Sequence, residues 1–315
     1  MNVGLHAGAW AWAVHEGSHI PEADWGKLKI AAGYGIKSIK YLLYEGSPTT
    51  QFEDIRRLRQ ECGFDEIVLR LMHAQGTLPG PAEHVERYRQ RVQYALDMGF
   101  RVCIQPANEP NLEFADTSPV AFTSWFVTVA NKLRATFANA EITSPPIAPF
   151  APNSWAWWDG TRACVDVSDT VGVHCYARSL DDLSGAYSLP WWLGQAPGKV
   201  LRVLECGSPT GTDAATRAAL LPRLYAQLAG EQAVKGWYPF ILSAEDVAQH
   251  GEHFLTEANL LALAQLAAGV TPVLPPVIPI TPPVIPDIPP VITPGVPAIP
   301  VGGKATYRVT VERLS

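Results

Sequence analysis

The 315-residue chain contains few cysteines, a modest share of charged residues and no long hydrophobic run. Its five cysteines are widely spaced and form no CxxC or Cys/His pattern, which argues against a zinc site. Three of them lie in apolar segments typical of strands, where a free cysteine behaves as a small buried hydrophobe. The longest largely apolar stretch, residues 258–270, is too short to span a bilayer. We therefore expect free cysteines and no membrane span.

Motifs for nucleic acid, nucleotide and metal binding are also missing. Lys and Arg total 24 against 30 Asp and Glu, a net charge of −6, and no cluster of basic residues offers a surface for phosphates. No GxGxxG or GxxxxGK[ST] follows the first predicted strand, so a phosphate-binding loop is not indicated. HExxH and EF-hand spacings do not occur either. The sequence thus predicts no metal, no cofactor and no nucleic-acid partner.

The two ends of the chain are distinct from its middle. MNVGLHAGAW has neither a basic n-region nor a long apolar segment, so no signal peptide is predicted, and cytoplasmic, extracellular and surface-displayed locations stay open. Of the 28 prolines, 12 fall in residues 272–300, in a seven-residue repeat (PPVIPIT, PPVIPDI, PPVITPG). This density predicts an extended polyproline II spacer over residues 269–303. Residues 304–315 alternate like one strand, a stub that we expect to lead to a second module or a surface attachment.

Residues 1–268 alternate between short β-branched runs and helix-like stretches. The predicted strands are residues 3–8, 36–41, 66–71, 101–105, 140–144, 170–176, 200–205 and 234–242. The predicted helices are residues 23–34, 50–62, 82–98, 119–138, 214–228 and 253–267, while the connections around 155–164 and 181–193 are less clearly helical. Such alternation indicates parallel strands with right-handed crossovers. We predict an α/β fold, a (β/α)8 TIM barrel over residues 1–268, in preference to an open doubly wound sheet.

Glutamates end two of the predicted strands, at the barrel end where active sites form. The fourth strand leads into Asn108-Glu109-Pro110, and the seventh ends in Glu205-Cys206-Gly207. Cleavage of a glycosidic bond needs two facing carboxyls, since one protonates the leaving oxygen while the other attacks the anomeric carbon or activates water. Either glutamate alone could be an ordinary surface or salt-bridged carboxylate. The pair is therefore the indication of function.

These residues resemble glycoside hydrolase clan A, the (β/α)8 retaining glycosidases with catalytic glutamates after strands four and seven. The likeness covers residues 1–268 in architecture and a handful of positions in motif, and it assigns no family within the clan. Its Asn-Glu-Pro motif implies that Glu109 is the acid/base, and its Glu-x-Gly ending implies that Glu205 is the nucleophile.

The same resemblance implies roles for four neighbours of the glutamates. Asn108 would hydrogen-bond the 2-hydroxyl of the sugar. His174 and Tyr176 match a strand-six His-x-Tyr, with Tyr176 close to the nucleophile, and Trp237 matches the strand-eight aromatic that floors the −1 subsite.

Strand two departs from the clan's pattern. Many members carry an Arg near its end, and residues 36–45 contain none. Arg70 and His73, on strand three, are candidate substitutes, since an Arg beside a carboxylate keeps it ionised. Glu45 and Glu113 also lie near strand ends but lack supporting neighbours in the sequence, so we interpret both as rim residues.

Aromatic residues are frequent, with ten Trp and ten Tyr. Trp10 and Trp12 lie in the first loop of the catalytic face, where they either stack on sugar rings or pack beneath the loop. Five more tryptophans follow strands five and six, of which we expect one or two to contact substrate. They are Trp155, Trp157, Trp158, Trp191 and Trp192.

The leading functional hypothesis is a retaining glycoside hydrolase that cleaves β-glycosidic bonds of an oligo- or polysaccharide by double displacement. A transglycosylase differs from it only in the acceptor. The alternative from another class is a non-catalytic carbohydrate-binding or structural barrel displayed on the proline-rich stalk. The fold by itself would decide between none of these, so the enzyme hypothesis rests on the two glutamates.

Overall fold

The computed structural model describes residues 2–6, 20, 22–44, 48–72, 76–209, 212–239, 261, 263 and 265. The proline-rich spacer over 269–303 and the stub over 304–315 lie outside these residues, so their boundaries stay predictions. Trp10, Trp12, Glu45 and His73 also lie outside them. Of the helix predicted over 253–267, only positions 261, 263 and 265 are described, all three helical.

Strands form at all eight predicted positions. They are β1 Asn2–His6, β2 Ser38–Leu43, β3 Glu66–Leu71, β4 Arg101–Gln105, β5 Glu141–Ile142, β6 Val171–Tyr176, β7 Leu201–Gly207 and β8 Val234–Pro239. Every residue of β2, β3 and β7 is buried, because helices cover the outer face of the sheet and side chains fill its inner face. The double burial explains why these segments are nearly continuous apolar runs in the sequence.

Helices connect the strands, including the two connections that the sequence left unclear. They are α1 Glu22–Gly33, α2 Pro48–Arg57, α3 Pro81–Asp97, α4 Pro110–Glu113, α5 Pro119–Thr136, α6 Ser154–Gly160, α7 Arg162–Asp166, α8 Leu189–Gln195 and α9 Ala214–Gly230. A π-helical turn, Leu58–Cys62, continues α2. Proline starts α3, α4 and α5, where its missing N–H costs no intrahelical bond. The short helices α6, α7 and α8 lack the long apolar stripe from which a helix is recognised.

The strands pair in the order β5-β4-β3-β2-β1-β8-β7-β6, all parallel. The two outer members of this order, β5 and β6, meet through one parallel bridge between Thr143 and Thr170. Beside it the Ser144 amide donates to the Thr170 carbonyl at 3.0 Å. The predicted (β/α)8 barrel is confirmed, and its weakest ladder is this β5–β6 seam.

Alternate residues of each strand face opposite sides of the sheet. Ile67, Leu69 and Ile104 belong to the large core between the sheet and the helices. A separate cluster of Val68, Cys103, Leu204 and Tyr238 fills the inside of the barrel. The five cysteines are all free and buried, as expected. Within the part of the chain that the structure describes, no helix has the length and apolar character to cross a membrane.

Charged side chains occupy the amino-terminal end of the barrel. Arg202 of β7 donates to Glu66 of β3 at 2.9 Å and to Glu141 of β5 at 2.5 Å, and Lys235 of β8 also pairs with Glu141. The side chains of Arg202 and Glu66 are almost completely buried. Burial would raise the pKa of Glu141, but Arg202 and Lys235 outweigh burial and lower it to about 2. Arg202 likewise lowers the pKa of Glu66 against the effect of burial.

We expect Arg202→Met to lower the free energy of unfolding by about 3–5 kcal/mol at pH 7, because it removes the close cation of the buried Glu66 carboxylate and leaves Glu141 with Lys235 alone. The folded-state pKa of both carboxyls is lowered, so this contribution is complete above the unfolded value near pH 4 and is lost as pH falls further. Urea unfolding at pH 7 and pH 3 measures both effects. Arg134→Met, which removes an exposed pair with Asp169, is the control and is expected to cost less than about 1 kcal/mol. Equal losses in the two variants would contradict the assignment.

Candidate active site

An irregularity in β7 turns Glu205 toward the carboxyl-terminal mouth of the barrel. Val203 lies opposite Val173 of β6, whereas Glu205 lies opposite the very next residue, His174, so that Leu204 is an extra residue. A bulge of this kind re-aims the side chains that follow it. Leu204 packs inside the barrel, and Glu205 comes next to it with 4% of its surface exposed.

A tight turn after β4 presents Glu109. Its backbone is left-handed, with φ 34° and ψ 60°, a conformation that a residue other than glycine adopts at a cost. Pro110 then starts α4, and the Glu109 carbonyl accepts from the amides of Leu112 and Glu113, both at 2.8 Å. The helix and the proline thus fix a strained residue whose side chain is 19% exposed.

His174 of β6 lies between the two carboxylates. Its Nδ1 is 2.8 Å from Oε1 of Glu109 and 3.6 Å from Oε2 of Glu205. Its carbonyl accepts from the indole of Trp192 at 3.0 Å, which fixes the backbone at this position. One oxygen of Glu109 and one oxygen of Glu205 also lie within 4.8 Å of each other. The structure therefore brings together the two glutamates that the sequence singles out.

Donors surround Glu205 on its other sides. Tyr176 donates its hydroxyl to Oε2 at 3.0 Å, and the ammonium of Lys40 donates to Oε1 at 2.9 Å. The guanidinium of Arg70 lies 3.9 Å from the same Oε1. Two cations and one hydroxyl donor thus surround the two oxygens of the Glu205 carboxylate.

Lys40 is a site residue that the sequence analysis missed. It comes from β2, its side chain is fully buried, and it also donates to the Leu204 carbonyl at 3.2 Å. The signal was present: a lysine in the middle of an apolar strand is rarely buried without a charged partner. Burial, opposed by Glu205 and aided by Arg70, lowers the pKa of Lys40 to about 8.

Glu113 is not a rim residue, and that interpretation is corrected here. Its side chain is 12% exposed, and its Oε1 accepts from Arg70 at 2.5 Å and from Nδ2 of Asn108 at 3.0 Å. Asn108 in turn accepts from Gln105 at 2.9 Å. Burial raises the pKa of Glu113, although Arg70 and Asn108 act in the opposite direction. Sequence patterns do not reveal this role, because α4 is a single turn with no periodic pattern.

Trp237 is not brought to the carboxylates by the described contacts. It is completely buried and stacks on Tyr225 of α9, with ring centroids 5.3 Å apart and planes 24° apart. Since α9 lies between β7 and β8 in the sequence and covers the sheet, the stacked ring belongs to the layer outside the barrel. The interpretation of Trp237 as a sugar platform is therefore unsupported by this packing.

The tryptophans after β5 and β6 mostly pack against one another. Trp157, Trp158 and Trp192 are buried, and Trp191 lies 4.5 Å from Trp192 and 5.5 Å from Trp155 between ring centroids. Trp155, with 49% of its surface exposed, is the member most open to solvent. Contact of any of them with substrate stays a prediction.

The two glutamates and the histidine between them offer donor atoms that could hold a metal ion. Glu109, His174 and Glu205 each supply one atom, all within 4.8 Å of one another. Lys40 and Arg70, however, already place two positive charges beside Glu205. Both charges would repel a divalent cation. The cations beside Glu205 are therefore the side chains of Lys40 and Arg70.

Two carboxyls in unlike surroundings are suited to acid–base and nucleophilic chemistry together. Glu205 is enclosed by cationic and hydroxyl donors. Glu109 is more exposed, and its carboxylate contacts the ring of His174. Such a pair can deliver a proton to one atom of a bound molecule while a carboxylate attacks its neighbour.

No protein-family model matches the chain, and no curated protein sequence matches it. Solved structures share its fold. A glycoside hydrolase family 30 subfamily 8 xylanase from Clostridium acetobutylicum has a TM-score of 0.58 at 14% identity, over 85% of this chain and 71% of that one. A GH128 (subgroup II) endo-beta-1,3-glucanase from Sorangium cellulosum has a TM-score of 0.55 at 17% identity, over 88% of this chain and 100% of that one.

A GH128 (subgroup I) endo-beta-1,3-glucanase from Amycolatopsis mediterranei, solved in complex with laminaritriose, has a TM-score of 0.52 at 16% identity, over 84% of this chain and 99% of that one. At these identities the likeness establishes the fold. The fold is the one expected from the resemblance to clan A, and the matching structures are glycoside hydrolases of that type.

We expect Lys40→Met to remove a rise in stability between pH 8 and pH 10.5. In that window the unfolded chain holds a proton that folded Lys40 has released, so the free energy of unfolding rises with pH by at most about 1.4 kcal/mol per unit. Urea unfolding of wild type and variant at pH 7.5, 9 and 10 measures the difference. Lys29→Met, which removes an exposed lysine, is the matched control and should follow wild type. Parallel curves for wild type and Lys40→Met would refute the assignment.

Proposed function

We propose that this chain is a retaining glycoside hydrolase that cleaves β-glycosidic bonds of an oligo- or polysaccharide by double displacement. The observation that carries the proposal is the pair Glu109 and Glu205, whose oxygens lie within 4.8 Å across the mouth of the barrel. Retaining enzymes hold their carboxyls about 5–5.5 Å apart, whereas inverting enzymes need about 6.5–9.5 Å to admit a water between them. The short separation favours retention.

Glu205 acts as the nucleophile in this proposal. One of its oxygens attacks the anomeric carbon as the bond to the leaving oxygen breaks, and a glycosyl ester of Glu205 forms. Lys40 and Arg70 support this role because they place two positive charges beside the buried carboxylate. Tyr176 fixes its second oxygen, which orients the carboxylate.

Glu109 acts first as the acid and then as the base. Its proton passes to the leaving oxygen in the first step. In the second step it takes a proton from the water that attacks the anomeric carbon and displaces the Glu205 carboxylate. The contact with His174 supports this role, since it orients the carboxyl and links it to the nucleophile's surroundings. Net retention of configuration follows from two displacements at the same carbon.

The substrate is a carbohydrate chain in this proposal. Asn108 is held between Gln105 and Glu113, and in this proposal the Nδ2 hydrogen that Glu113 does not accept donates to the sugar 2-hydroxyl. The structures that share the fold include two endo-beta-1,3-glucanases and a xylanase, so β-1,3-glucan and xylan head the panel of substrates. Mannans, galactans, other β-glucans and peptidoglycan complete it.

We expect Glu205→Gln to abolish release of reducing ends from the glycan that the wild type cleaves, by roughly 10³-fold or more, because an amide cannot form the glycosyl ester. Both proteins are compared at equal folded concentration, with their unfolding transitions recorded. Glu86→Gln, an exposed change on α3, is the control and should match wild type. Activity that survives Glu205→Gln would remove this residue as the nucleophile.

We expect Glu109→Gln to lose roughly 10²–10⁴-fold on the glycan, because departure of a sugar alkoxide needs its proton. On an aryl β-glycoside with an acidic phenol as leaving group the first step needs no proton, so the ester accumulates, and added azide releases it as the β-glycosyl azide. Product analysis by NMR reads the configuration. An α-azide, or no rescue with full activity retained, would contradict the role. Silence of wild type on every glycan, together with tight glycan binding, would favour the non-catalytic barrel.

A further inference from the structure

One carboxylate in the site has no part in the double displacement. Glu113 ends the single turn of α4, four residues after Glu109, and its amide donates to the Glu109 carbonyl at 2.8 Å. Its own carbonyl accepts from the amide of Gly76 at 2.7 Å. The backbone of Glu113 is thus fixed on both sides, and its side chain turns back into the barrel mouth.

A single oxygen of Glu113 joins two of the residues around the reacting pair. Oε1 accepts from the guanidinium of Arg70 at 2.5 Å and from Nδ2 of Asn108 at 3.0 Å. Arg70 also lies 3.9 Å from Glu205, and its side chain is 5% exposed. Glu113 therefore supplies a second negative charge beside the buried Arg70, whose other acidic neighbour is Glu205.

The contacts of Asn108 with Gln105 and Glu113 together determine which end of its amide is the oxygen and which the nitrogen. A carboxamide is nearly symmetric in shape, so its partners must distinguish oxygen from nitrogen. Gln105 donates from one nitrogen to the Ala107 carbonyl at 3.2 Å and to Oδ1 of Asn108 at 2.9 Å. A backbone carbonyl is always an acceptor, so the atom of Gln105 that contacts it must be the nitrogen. The atom of Asn108 that accepts from this nitrogen is then its oxygen, and the Asn108 nitrogen donates to Glu113.

We propose that Glu113 is a positioning residue that holds Asn108 with an N–H directed to the substrate, an inference that rests on the proposed glycosidase function. The carboxylate accepts one of the two hydrogens on Nδ2 and leaves the second for the sugar 2-hydroxyl. A reversed amide would set its oxygen against the Glu113 oxygen, which costs free energy for two facing acceptors. Glu113 so acts through Asn108 and touches no substrate itself.

The test uses the 4-nitrophenyl β-glycoside of the sugar that wild type releases from glycans, and its 2-deoxy counterpart. Glu113→Met keeps the length of the side chain and removes the acceptor. We expect kcat/KM to fall roughly 10- to 100-fold on the 2-hydroxy substrate, mainly in kcat, and less than about 3-fold on the 2-deoxy substrate. Glu113→Gln retains an oxygen acceptor and should restore most of the loss.

A cycle with Asn108→Ala separates positioning from general damage. If Glu113 acts through Asn108, Glu113→Met adds no further loss in the Asn108→Ala background. Should Glu113→Met not fold, Glu113→Asp keeps the charge beside Arg70, withdraws the oxygen from Asn108, and should show the same substrate-selective loss. Equal losses on both substrates, or additive losses in the cycle, would overturn the proposal.

The outcomes also separate this inference from the proposed function. If wild type is active, Glu205→Gln is inactive and the Glu113 variants show no selectivity for the 2-hydroxyl, the positioning role fails and the glycosidase stands. If Glu205→Gln and Glu109→Gln retain activity, or wild type cleaves nothing, the function fails and the positioning role fails with it.

Discussion

The ion pair between Lys40 and Glu205 joins the inside of the barrel to its reactive end. The two residues come from β2 and β7, which are separated in the sheet by β1 and β8, so their contact crosses the interior. Burial of either charge without the other would cost several kcal/mol of folding free energy. The ion pair therefore fixes both side chains. The position of Glu205, and with it the contacts of Tyr176, Arg70 and His174, depends on this pair.

The two glutamates share a residue type and differ in everything that surrounds it. Glu205 follows a bulge in a regular strand and lies among donors from three other strands. Glu109 occupies a left-handed turn before a proline, where the backbone strain is held by the short helix α4. A stiff, enclosed carboxylate beside a more open one is the division of labour that an acid and a nucleophile require.

The sequence was sufficient for the fold and for the ends of its strands. Eight strands and the glutamates after β4 and within β7 followed from apolar runs and the residues that end them. Lys40 and Glu113 did not, for two physical reasons. The direction of Lys40 depends on the alternation of β2, which a one-residue change of register would reverse.

Glu113 belongs to a one-turn helix that has no period to read, and its partner Arg70 is 43 positions away in the chain. The prediction for Trp237 has a different weakness, since a matching position in a strand does not say which side of the sheet the ring occupies. The register shifts in β7 and β8 near this residue are set by packing between strands, which a single sequence does not display.

The β5–β6 seam is the place where the regular ladders of the barrel wall are interrupted. Six register pairs join β2 to β3, whereas one bridge joins β5 to β6, and hydrogen bonds of Ile142, Ser144 and Asp169 complete the seam. Glu109 follows β4 on one side of this seam, and His174 belongs to β6 on the other. A hydrogen bond joins their side chains across it. Because this contact spans the seam, any change in the separation of β4 and β6 at the mouth is also a change in the distance between Glu109 and His174.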